Sequence, residues 1–127
     1  MKHTLLALSA IAAGFLVIPY SAYAHHGFAG FDRDSVVTYQ GTVTDFHYVN
    51  PHSVVEFDVK GDKGQVENWQ GEMTSPSHLA PLGWKASSLE AGDQITISGY
   101  RAKNGRPSLW VTKIIVNGKE LKINWKE

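Results

Sequence analysis

The doublet His25-His26 follows Ala22-Tyr23-Ala24, an Ala-x-Ala pattern of the kind signal peptidase cuts. Cleavage after Ala24 yields a chain that begins with a histidine carrying a free α-amino group. Amine and imidazole of that one residue form a chelate, and such nitrogen donors suit copper above other first-row metals. An α-amine titrates near about 7.7–8.0, so a metal displaces its proton at neutral pH. A second imidazole completes a T-shaped site of three nitrogens, which serves both Cu(II) and Cu(I). His26 points away from His25 on extended backbone, and joins the same ion only if Gly27 supplies a turn. Cleavage before Ala24 gives Ala-His-His instead, whose amine, two amides and imidazole hold Cu(II) or Ni(II) in a plane. Where His25 merely marks the cut, the arm is solvated and holds nothing.

Asn50-Pro51-His52 is the second constellation. Pro51 stiffens a corner between two strands, and His52 falls in phase with Val54, Glu56 and Asp58, opposite the apolar Val55, Phe57 and Val59. It reads as a rim or outer-face residue and as the best distant partner for His25; the bland alternative is a turn histidine capping local backbone. His26, His78 and Glu72 are reserve ligands. His78 sits in the first turn of a short helix, where a locally bonded or solvated ring is the ordinary role. Glu72 ends a strand and can serve as a ligand, as the carboxylate that orients a ligating histidine, or as an ordinary strand-end acid. His47 shares a phase with Asp45 and reads as a surface residue. No H-x-x-x-H or H-E-x-x-H pair occurs, so helical zinc chemistry lacks support.

Residues 1–24 read as a secretory signal, with Lys2, an apolar core from Leu5 to Ile18, and Pro19 before the small-residue site. That core is too short for a comfortable membrane span of about 20 residues, so no stable membrane insertion is expected. The expected location is the periplasm or the exterior. With 12 basic and 12 acidic residues in the full chain, nucleic-acid binding is disfavoured, because phosphate affinity is built on an excess of Lys and Arg. The absence of cysteine excludes disulfides, thiolate metal sites and Cys nucleophiles. No Gly-x-Ser-x-Gly or phosphate-binding glycine loop is present.

The elements that must position these histidines follow from periodicity. Residues 25–34 read as an extended arm whose Phe28 and Phe31 can dock on the body, and residues 35–127 as one domain. Val37, Tyr39, Gly41 and Val43 alternate with polar residues, and then Phe46 and Tyr48 take over the apolar phase. Such a slip marks a bulge in a long bent strand. Val55–Val59 and Val66–Met73 form a hairpin around Gly61-Asp62-Lys63-Gly64. Pro76–Trp84 is the helical candidate, capped by Ser75 and limited by Pro81. Ile95–Gly99 and Leu109–Val116 follow, with a short last strand through Leu121, Ile123 and Trp125. One helix between the third and fourth strands fits a small all-β, OB-like barrel of five to six strands. A sandwich of the cupredoxin or immunoglobulin kind is the alternative. The four tryptophans read as core anchors, with a carbohydrate-stacking face as the other possibility.

His25-His26-Gly27-Phe28, Phe31-Asp32, Gly41-Thr42-Val43, Phe46, Asn50-Pro51-His52, Trp69 with Glu72, Leu79, Gly83-Trp84, Leu89 and Ala91-Gly92-Asp93 together resemble a family of small exported bacterial proteins whose domain has no assigned function. The resemblance spans the whole mature chain and implies a periplasmic or secreted single domain. Tyr48 stands where that family has Trp, a packing change that touches no proposed ligand. A looser likeness joins His25 to copper-handling proteins that bind through a mature N-terminal histidine. Copper enzymes that cleave polysaccharides oxidatively also use such a terminus, but they are larger and present a broad flat face. The expectation is therefore copper carriage, buffering or delivery to a periplasmic protein partner. The alternatives are a metal-free OB-like module for oligosaccharide, peptide or envelope partners, and a small copper oxidase or monooxygenase.

Overall fold

The computed structural model describes residues 28–124. The expected signal segment, His25, His26 and Trp125 lie outside them. Six strands, β1 (Phe31–His47), β2 (Val54–Lys60), β3 (Val66–Glu72), β4 (Gln94–Ala102), β5 (Ser108–Val116) and β6 (Lys119–Leu121), follow the order β3-β2-β1-β4-β5-β6. A short parallel pairing of β3 with β5, Gln70–Glu72 against Ser108–Trp110, closes the first five strands into a barrel. That closure is the expected OB-like architecture, and it rules against the sandwich. The helix α1 (Pro76–Leu79) and a 3₁₀ turn (Ala80–Leu82) fall between β3 and β4, where the sequence placed them. No helix among the described residues is long and apolar enough to cross a membrane.

β1 bends because its pattern slips. Its register with β2 shifts between Val43 and Asp45, which carries the strand from one partner to the next. Gly41 permits the close approach of β2, since a Cβ there would stand 2.7 Å from the Asp58 carbonyl oxygen. β1 also reaches back to Phe31, into the stretch read as an arm, because Phe31 pairs with Ala102 across a second irregularity. At the far end Asn117 (φ 47) and Gly118 (φ 84) make the tight β5–β6 turn that needs left-handed backbone at both positions.

The inward face follows the period of two. Val43, Val55, Phe57, Trp69, Ile95, Ile97, Leu109, Val111 and Ile114 fill the barrel. Leu79, Met73 and Trp84 plug the end beneath α1. Tyr48 ties that plug down by donating its hydroxyl to the carbonyls of Pro76 and Trp84, each 3.2 Å away. Trp84 in turn donates Nε1–H to the Lys122 carbonyl at 2.7 Å.

One large residue breaks the inside-outside rule. Trp110 lies between Leu109 and Val111 on β5 and therefore points out of the barrel, yet it is 0% exposed. A second, smaller core of Phe31, Ala102 and Trp110 forms there, with Phe28 and Tyr100 packed against it.

Candidate functional site

The start of the described chain covers Trp110. Phe28 meets the Trp110 ring edge-on with centroids 5.5 Å apart and Tyr100 at 5.7 Å, and Phe31 lies 5.9 Å from Trp110. Polar contacts fix the same stretch. Lys103 donates its backbone N–H to the Gly30 carbonyl at 2.9 Å and its Nζ to the Ala29 carbonyl at 3.2 Å. The Arg33 guanidinium lies 4.6 Å from the Phe28 ring centroid. The arm aromatics Phe28 and Phe31 thus dock on the body.

His52 packs against the same tryptophan. Its ring stands at 86° to Trp110 with centroids 5.3 Å apart. The corner that holds it contains a cis Asn50–Pro51 peptide and is tied to the end of β3 by two backbone bonds, Ser53 N–H to Thr74 O and Met73 N–H to Ser53 O. His52 Nδ1 lies 3.7 Å from Glu72 Oε2, and both side chains are about a quarter exposed, at 27% and 24%. Glu72 is the parallel partner of Trp110 in the β3–β5 ladder. Burial raises the Glu72 carboxyl above its usual range, opposed in part by His52 and then Arg106. Ser53 and Ser108 flank this corner with buried hydroxyls that have no hydrogen-bond partner among the described residues.

The other described histidines make contacts of their own. His78 Nδ1 is engaged locally, 2.9 Å from Thr74 Oγ1 and 3.3 Å from Ser75 Oγ. His47 sits on the surface, its Nε2 3.3 Å from Glu56 Oε1 and 3.4 Å from Asp45 Oδ2. His25 and His26 precede the described residues. Among the described residues no group of three or more His, Cys, Asp or Glu is arranged to hold a metal ion. Sequence reasoning overlooked Trp110 and Arg106 as parts of this corner. An outward tryptophan between two inward residues of β5 was the available signal.

A profile of a family of unknown function (DUF6152) matches residues 14–109. The chain belongs to that family. The matched region takes in the arm, the Asn50-Pro51-His52 corner, Glu72 and α1, and it ends one residue short of Trp110. No curated protein matches the chain.

Proposed function

We propose that the exported, processed protein binds copper through His25 and His52, and that it carries or delivers the ion in the periplasm. The observation that supports this most is that Phe28 and His52 pack against one ring, Trp110. His25 is three residues before Phe28, and three residues reach at most about 10 Å. In this reading the anchored Phe28 limits how far the first residue of the processed chain lies from the Trp110 ring that His52 also packs against. The His25 amine and ring then chelate the ion and His52 Nε2 is the third donor. Glu72 faces Nδ1 and orients the ring, as carboxylates do for metal-bound histidines. His26 and His78 remain reserves.

Calorimetric titration of Cu(II) into residues 25–127 with a native terminus tests the reading. The expected result is one tight site, weakened by acetylation of the amine and by His52→Ala. An absence of heat, or an affinity that neither change alters, would reject it. Oxygen uptake driven by a reductant would instead assign a copper oxidase.

A metal-free binding module is the second reading, and one groove favours it. Tyr39, Val59, Gly61, Gln65, Glu67, Trp69 and Arg101 line a space of about 540 Å³ at the barrel end away from α1. Its aromatic platform is already occupied, however. Trp69 is 2% exposed, packs 4.4 Å from Tyr39, carries the Arg101 guanidinium at 5.1 Å and bonds Glu67 through Nε1. A sugar-stacking face needs an open ring, so the copper reading has the better physical support.

A further inference from the structure

Among the described residues, one strand edge that no other strand covers is also uncharged, and it lies on β1. β1 pairs with β4 from Phe31 to Thr42, but with β2 only from Thr42 onward. Between the two irregularities of β1, the regular segment Val36–Gln40 therefore has β4 on one side and, among the described residues, no strand on the other. Its sequence is Val-Val-Thr-Tyr-Gln, all strand formers or neutral, with neither charge nor proline. Natural edges are normally blunted by Lys, Pro or an inward charge, because a bare edge templates pairing with another chain. Val36 adds an exposed apolar side chain at 56%.

We infer that this edge joins two copies of the protein, β1 against β1, antiparallel about a two-fold axis at Thr38. An isologous contact must be complementary to itself, and this segment is. With Thr38 opposite Thr38 of the second copy, Val37 faces Tyr39 on the inner side of the sheet. Val36 faces Gln40 on the outer side. β-Branched with aromatic and Thr with Thr are favourable cross-strand pairs, and no two like charges meet. Pairing fills the backbone donors and acceptors of the edge that no described strand takes, and covers Val36. A second copy fits better than a foreign peptide because the register is satisfied by the segment's own side chains. This inference rests on β1 alone and stands whether or not copper binds.

The chain has no cysteine, so a single Thr38→Cys thiol reports the contact directly. Residues directly opposite in an antiparallel pair have Cα atoms about 4.5–5.5 Å apart, inside the range a disulfide spans. Under mild oxidation the full processed chain with Thr38→Cys should form a covalent dimer about a hundredfold faster than Asp62→Cys on the exposed β2–β3 turn, since a dimer holds the thiols at millimolar effective concentration. Sedimentation equilibrium should show a dimer for the unaltered protein and a monomer for Thr38→Lys, which sets two like charges face to face, with an unchanged circular dichroism spectrum. Equal cross-linking of the two cysteine variants would overturn the proposal. So would an unaltered protein that sediments as a monomer at high micromolar concentration. Should Thr38→Lys misfold, the cysteine comparison and the mass of the unaltered chain decide alone.

Discussion

His52 Nδ1 stands 3.7 Å from Glu72 Oε2, across the junction where the β1–β2 corner meets the β3–β5 closure. The burial that surrounds this pair raises the Glu72 carboxyl from its ordinary value near 4.5. A carboxyl raised in the folded state stabilises the fold below the ordinary value and loses that contribution as pH climbs through the raised one. Glu72→Gln removes the titration. In metal-free buffer, the stability of the native protein relative to Glu72→Gln should therefore fall as pH rises from below 4.5 to neutrality. Melting temperatures of both proteins across that interval check it, and a relative stability that rises with pH would contradict it.

Phe28 supplies no nitrogen, yet it fixes where the preceding residues start, through Trp110 and Tyr100. Phe28→Ala should weaken Cu(II) binding at an unchanged amine and unchanged histidines, and an affinity equal to that of the native chain would remove the anchoring argument. His47→Ala is the matched control, because His47 lies on the exposed face with Asp45 and Glu56. It should leave copper affinity as it is.

Trp110 is the hub of the second core. Trp110→Ala leaves a cavity among Phe28, Phe31 and His52 and should cost about 3–5 kcal/mol in urea unfolding. The variant should also free the N-terminal stretch, seen as faster proteolysis there than in the native protein.

Tyr48 holds the α1 plug with its hydroxyl. Tyr48→Phe keeps the ring and removes both bonds, so a loss of about 0.5–1.5 kcal/mol in chemical denaturation is expected.

Gly71 faces a full barrel interior, where a Cβ would stand 2.8 Å from Val111 Cγ2 and 2.9 Å from both Ile97 Cδ1 and Val55 Cγ1. Gly71→Ala overpacks that point and should destabilise by about 1–3 kcal/mol, measured by the same denaturation series.

The period-two alternation, the slip after Val43 and the Pro76–Pro81 punctuation determined the strands, the bend in β1 and the place of α1. These are local rules of side-chain direction and turn chemistry, and they act within a few residues. The positions of the histidines and of the Ala-x-Ala pattern likewise set which donor atoms the copper proposal draws on. Their juxtaposition was not local. That His52 lies by Glu72 depends on the β2–β3 register, and that Trp110 is buried outside the barrel depends on a parallel β3–β5 closure joining strands far apart in the chain. The same closure leaves the Val36–Gln40 edge of β1 open. Pairing between distant strands is set by the packing of a whole core, so only the tertiary structure decided which side chains meet at the corner and which strand edges are left bare.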